Sequence, residues 1–157
     1  MMGDPCASRL PEGVNPLSGK PQLGKDEDQG QLFRYYRCRA SQDDEEAMYR
    51  LGLAYEQGLG GDVDLDKAAH WYEKAARPKT GMEYNYLYNR PVQKRPSSEG
   101  HPEAQYRLGL MYLEGRGRKQ DDGFGHLWFS RAAKQGHEEA RAIYDKLTLK
   151  LESEPWD

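Results

Sequence analysis

Apolar and polar positions alternate along this chain with the period of an amphipathic helix. Ala47, Leu51 and Tyr55 fall at i, i+4 and i+8, with Met48 and Gly52 beside them, which predicts a helix buried along one face. Gly58 and Gly60 end it, because glycine tolerates the left-handed backbone that closes helices. A second helix is expected from about Asp64, a candidate N-cap, to Ala76. Its Ala68, Trp71, Tyr72, Ala75 and Ala76 share one face, and Pro78 stops it. The same order of residues then returns: Ala104, Leu108 and Tyr112, then Gly115 and Gly117, then Trp128, Phe129, Ala132 and Ala133. EAMYRLGLAYEQGLG from Glu46 and EAQYRLGLMYLEGRG from Glu103 lie 57 positions apart (103 − 46). In the second copy Gly123, Phe124 and Gly125 replace Asp66, Lys67 and Ala68. This predicts a looser start to that helix, since a glycine costs about 1 kcal/mol relative to alanine.

A shorter period lies beneath this one. Ala104 and Ala140 are 36 apart (140 − 104), and GHPEAQY is answered by GHEEARAIY from Gly136. Ala133 precedes Ala140 by 7 positions, whereas Ala76 precedes Ala104 by 28, so 21 residues (28 − 7) interrupt a 36-residue repeat. Upstream, Tyr35 and Tyr36 precede Trp71 and Tyr72 by 36. The chain therefore divides into a Pro- and Gly-rich segment 1–29, expected to be disordered, a helical repeat domain 30–151 and a tail 152–157. Within the domain the reading is a half-repeat at 31–40, a repeat at 44–77, an insertion at 78–98, a repeat at 101–136 and a capping helix at 137–151. Half-repeats at both ends would cover terminal apolar faces, as stacked repeats need. The expected architecture is all-α with one irregular inserted loop.

Composition narrows the function. At 36% hydrophobic and a mean hydropathy of -1.05, the chain suits thin two-helix layers rather than a thick core. A net charge of -3 argues against nucleic acid or membrane as the main partner, and no window is apolar enough to span a bilayer. The first residues contain no apolar run of the kind a secretory leader needs, and Cys6 and Cys38 lack ligand spacing. Unpaired cysteines and a cytoplasmic location are therefore expected, with no disulfide and no zinc site. His70, His101, His126 and His137 form no ligand set; His101 and His137 each follow a glycine near a helix start and read as a structural echo. No carboxylate pair sits beside a nucleophile, and Gly58, Gly60 and Gly61 end a helix where a phosphate cradle would begin one. Neither catalysis, cofactor nor metal is expected.

The pattern A-x-x-x-L-G-x-x-Y-x-x-G-x-G, followed by a Trp-aromatic pair and Ala-Ala, resembles the Sel-one-like repeat, a relative of the tetratricopeptide repeat. Ala47, Leu51, Gly52, Tyr55, Gly58, Gly60, Trp71, Tyr72, Ala75 and Ala76 carry it in one copy. Ala104, Leu108, Gly109, Tyr112, Gly115, Gly117, Trp128, Phe129, Ala132 and Ala133 carry it in the other. The resemblance implies a right-handed alpha-alpha superhelix, a solenoid of antiparallel helix pairs that acts as a protein-binding scaffold. The first helices of such stacks line the concave surface. Tyr49, Leu53 and Glu56, with Tyr106, Leu110 and Leu113, would then form a strip open to a peptide. Mid-helix Gly52 and Gly109 fit where a partner helix must approach closely.

In the insertion, Met82, Tyr84, Tyr86 and Tyr88 alternate with Glu83, Asn85, Leu87 and Asn89, a period of two that favours an extended segment. Tyr84, Tyr86 and Tyr88 are accordingly candidate contacts for a partner; the competing reading packs them on their own scaffold. The leading functional reading is an adaptor for a partner protein or peptide. An immunity or regulatory protein that inhibits a toxin or enzyme is the alternative, and a weak RNA-binding module using the arginine-tyrosine clusters at 34–39 is a second.

Overall fold

The computed structural model describes residues 3, 5–6, 26–59, 61–79, 82–85, 90–93 and 98–154. In chain order they form α1 (Asp26–Ala40), α2 (Glu45–Gln57), α3 (Leu65–Ala76), β1 (Met82–Asn85), β2 (Arg90–Gln93), α4 (Pro102–Glu114), α5 (Asp122–Lys134) and α6 (Glu138–Ser153). Each helix packs chiefly on the next one along the chain, so the described residues build a helical repeat superhelix of two helix pairs flanked by single helices. Helix α1 begins at Asp26, inside the segment expected to lack structure, and α6 runs to Ser153. The remainder of 1–29, apart from residues 3, 5 and 6, lies outside the described residues, as does the end of the tail with Trp156.

Local chemistry sets the helix ends. Asp44, Asp64 and Asp121 cap α2, α3 and α5, each accepting the backbone N–H three residues on at 2.9 to 3.1 Å. Gly58 and Gly115 close α2 and α4 in the left-handed conformation, with φ of 72° and 69°. Gly125 does not loosen α5. A Cβ there would lie 3.3 Å from the Gly109 carbonyl oxygen, so the glycine lets two helix backbones approach.

The helix crossing within each pair is a glycine against an aromatic ring. A Cβ on Gly52 would sit 2.5 Å from the Tyr72 ring, and one on Gly109 would sit 2.8 Å from the Phe129 ring. Both rings are fully buried, as are Leu51, Ala75, Leu108 and Ala132 around them. The sequence pair Leu-Gly thus supplies a filler and a gap on adjacent positions of one helix face.

The insertion is more ordered than an irregular loop. β1 and β2 pair antiparallel in the register Met82↔Gln93, Glu83↔Val92, Tyr84↔Pro91 and Asn85↔Arg90. A two-stranded ribbon has only edge strands, which is where Pro91, lacking an N–H, is tolerated. The hairpin is pinched off at its base by the Lys79↔Ser98 bridge, in which the Lys79 N–H donates to the Ser98 carbonyl at 3.0 Å.

The cysteine expectation is overturned. Cys6 and Cys38 form a disulfide, with their Cα atoms 5.7 Å apart, well within the reach of such a bond. Unlike contexts in sequence do not show which segments meet in space, and the chain start returns to the last turns of α1. The composition-based case for a reducing compartment falls with it. No helix among the described residues is long and apolar enough to cross a membrane.

Two stability predictions follow from this packing. Gly52→Ala or Gly109→Ala should destabilise by about 1–3 kcal/mol despite alanine's better helix propensity, because the methyl overlaps a buried ring; urea unfolding of each variant measures it. Replacing Cys6 and Cys38 by serine should lower stability by about 2–4 kcal/mol, since a cross-link 32 residues apart restricts the unfolded chain. Unfolding with and without reductant should give the same difference in the parent chain and none in the double serine variant.

Candidate protein-binding site

Successive layers are joined by a seam repeated at two places. His101 caps α4 through Nδ1, which accepts the Ala104 N–H at 3.3 Å, so its ring proton sits on Nε2. That Nε2 donates to Glu46 on α2 at 2.6 Å, while the ring stacks on Tyr49 with centroids 4.5 Å apart. His137 repeats the unit, capping α6 at Ala140, bonding Glu103 at 2.8 Å and stacking on Tyr106 at 4.5 Å. Arg50 supports the first unit by donating to Glu46 at 2.8 Å. The His101 hydrogen bond, helped by Arg50 against the opposing effect of burial, lowers the Glu46 carboxyl to about 2.

These seams consume the tyrosines expected to stand open. Tyr49 is only 9% exposed, held between His101 and Tyr72, and Tyr106 is half-buried between His137 and Phe129. The expectation of exposed aromatic anchors on the first helices is corrected: the rings stack on histidines because both types recur at the layer boundary. Leu53 is half-buried against the first core cluster, and Leu110 and Leu113 against the second. Glu56 is 15% exposed and engaged. It accepts from the Tyr72 hydroxyl at 2.5 Å and pairs with Arg107 at 3.3 Å and Arg116 at 3.9 Å. Burial, followed by the neighbouring Glu56 carboxylate, pushes the Tyr72 phenol well above its ordinary value.

The inserted hairpin is tied to this packing at its base. His101 N–H donates to the Ala75 carbonyl at 2.8 Å, and its counterpart His137 N–H donates to Ala132 at 3.1 Å. The junction carrying the insertion and the direct junction are therefore closed by the same bond. Gly100 makes this possible: its φ is +86°, and a Cβ would lie 2.1 Å from the Ala76 oxygen. Fully buried Gln105 ties the foot down by donating to Ala76 O at 3.0 Å and Glu99 O at 2.8 Å, and accepts from Gln135 at 2.9 Å. Lys79 bonds the Asp43 carbonyl at 2.5 Å and pairs with the Asp43 carboxylate at 3.0 Å.

At the hairpin's foot lies a cleft of about 550 Å3 bounded by Pro78, Glu99, Arg131, Lys134 and Gln135. Arg131 is laid over the Trp128 ring at 4.8 Å, and Lys134 is exposed. The outer edges of a two-stranded ribbon can offer main-chain pairing to an extended segment, and the foot sets Arg131 and Lys134 beside Glu99. Of the expected insertion contacts, Tyr84 falls within β1 with its side chain outside the described residues, and Tyr86 and Tyr88 lie outside them altogether. Periodic reading left out Gln105, Gln135, Arg131 and Lys134; the one sequence signal for the foot was the Gly-His pair at 100–101 and 136–137. No group of three His, Cys, Asp or Glu among the described residues could hold a metal ion.

Helix pairs crossing at glycine and joined by repeated caps define a solenoid of short helical repeats. The chain is a Sel1-like repeat protein, matching the Sel1 repeat family over residues 45–77 and 102–137. It is 28% identical over 130 residues to the ERAD-associated E3 ubiquitin-protein ligase component HRD3B of Arabidopsis thaliana, covering 76% of this chain and 21% of that protein. It is 29% identical over 174 residues to chitin synthase regulatory factor 3 of Schizosaccharomyces pombe, covering 92% of this chain and 18% of that protein. Among solved structures it is similar to a protective antigen present in uropathogenic Escherichia coli strains that displays an SLR fold. That match has a TM-score of 0.60 and 32% identity, over 86% of this chain and 24% of that one. The chain thus spans about a fifth of the length of the curated relatives it matches.

The seam has a pH signature. Glu46 releases its proton more readily folded than unfolded, so its stabilisation is complete above its ordinary value of 4.5 and is lost as pH falls through about 2. Glu46→Gln should cost about 1 kcal/mol at neutral pH and flatten the stability-pH curve between those values, read by urea unfolding across an acid series.

Proposed function

We propose that this chain is a non-catalytic interaction scaffold that binds a partner protein or peptide, with the hairpin between α3 and α4 as its specificity element. One observation carries the reading: the repeat closes through the same His-to-Ala backbone bond with the insertion as without it. A segment that the scaffold holds but does not need for its own packing is free to serve recognition. The Sel1 repeats of the relatives support a protein partner, and the basic foot suits an extended segment carrying acids. The likeness to a chitin synthase regulatory factor favours a second reading, in which the scaffold restrains an enzyme that it binds.

The test replaces residues 77–99 by Lys-Gln, the two residues that link Ala133 to Gly136 in the direct junction. The expected protein keeps its helical circular dichroism and its melting temperature within about 8 °C, and loses the partners that the parent chain captures and that mass spectrometry identifies. Unchanged capture by the shortened chain would remove the hairpin from the site. Inhibition of an enzyme among the captured partners would separate restraint from passive adaptation.

A further inference from the structure

The two joints between layers share a backbone plan but close differently. At the second joint the α4–α5 turn folds onto α3. Arg118 donates to Glu73 at 2.8 Å, the Tyr112 hydroxyl donates to the same carboxylate at 3.3 Å, and Phe124 covers the Tyr112 ring at 5.3 Å. At the first joint, repeat arithmetic puts Arg37 in place of Glu73 (73 − 36), Gly61 in place of Arg118 (118 − 57) and Lys67 in place of Phe124 (124 − 57). The acid of the clasp has become a base, and the arginine has lost its side chain. A Cβ built on Gly61 would meet nothing within 4 Å.

What remains is a cleft of about 350 Å3 between α1 and the α2–α3 turn, lined by Phe33, Tyr55, Leu59 and Val63 with Lys67 at its edge. Phe33 meets Tyr55 edge-on at 5.2 Å, and Val63 is 58% exposed. Arg37 is exposed and lies over the Phe33 ring at 6.0 Å, and Lys67 Nζ lies 5.5 Å from the Tyr55 ring. Asp62 and Asp64 also line the cleft, but Asp64 is occupied in capping α3 and pairing with Lys67 at 3.4 Å.

We propose that this cleft docks a partner peptide presenting an acidic side chain next to an apolar one. The carboxylate meets Arg37 beside Tyr55, reproducing with reversed polarity the clasp that Glu73, Arg118 and Tyr112 form inside the same molecule. The apolar neighbour packs on Phe33 and the exposed Val63 beside the Tyr55 ring, whose counterpart Tyr112 is covered by Phe124 at the second joint. Arg37, over the Phe33 ring, faces the peptide's acid, and Asp62 on the turn orients it by repulsion. The site is separate from the hairpin, so the two readings stand or fall independently.

The 157-residue chain is titrated into fluorescein-labelled Leu-Glu-Phe-Glu amide and its Leu-Gln-Phe-Gln counterpart at low salt, with anisotropy as readout. The acidic peptide should bind at least tenfold more tightly than the neutral one. Arg37→Glu should abolish that preference and confer one for Leu-Lys-Phe-Lys. The Arg37→Glu, Gly61→Arg double variant rebuilds the clasp of the second joint, and should raise the melting temperature while losing both acidic and basic peptides. Equal binding of acidic and neutral peptides, no binding up to millimolar concentration, or retained binding in the double variant would each overturn the proposal. So would a concentration-dependent dimer seen by light scattering and lost in the double variant, since a second copy would then be the occupant.

Discussion

The contact on which the rest of the fold depends is a helix backbone laid against an aromatic ring. Gly52 under Tyr72 and Gly109 under Phe129 bring the two helices of each pair closer than any side chain would permit. Alanines complete the approach, with Ala75, Ala76 and Ala132 fully buried beside the rings. Close packing recovers dispersion contacts in place of bulk apolar volume. That is how a chain with a mean hydropathy of -1.05 sustains a core at all. Layers then meet at equivalent places, where the His101 and His137 N–H groups bond the Ala75 and Ala132 carbonyls.

At those places the layers are held by polar groups with every role assigned. Each seam histidine accepts a backbone N–H with one nitrogen, donates to a carboxylate with the other and stacks its face on a tyrosine. A capping aspartate would satisfy the N–H but reach no further; the imidazole spans from its own helix to the previous layer. The seam therefore couples helix initiation to layer stacking, so a layer out of register would lose a cap as well as a contact.

Much of this was legible in the residues. Spacing alone located the helices, the closing glycines and the interruption of the 36-residue period, and mid-helix Gly52 and Gly109 pointed to a close crossing. What it misplaced had one physical cause: period tells which residues share a face, but not what the neighbouring layer puts against it. Tyr49 and Tyr106 fall on a face that looks free until His101 and His137 arrive from 52 and 31 residues away (101 − 49, 137 − 106). Gly125 looked like a weak helix start because its contact, the Gly109 carbonyl, lies on another helix. Cys6 and Cys38 were misjudged for the same reason, their pairing being a property of the chain's return path.

The insertion shows what this architecture permits. In a stack whose layers touch only their neighbours, a perturbation between two helices is felt locally. The cost of closing a longer loop grows only with the logarithm of its length, so 21 added residues are cheap provided that both ends are already fixed. Here both ends are fixed by bonds the uninserted junction also makes, with Gly100 and Gln105 anchoring the returning strand against the Ala76 carbonyl. The closure of the repeat is thereby carried by residues outside the two strands. The glycine-aromatic crossings on either side of the junction go on setting the shape of the scaffold.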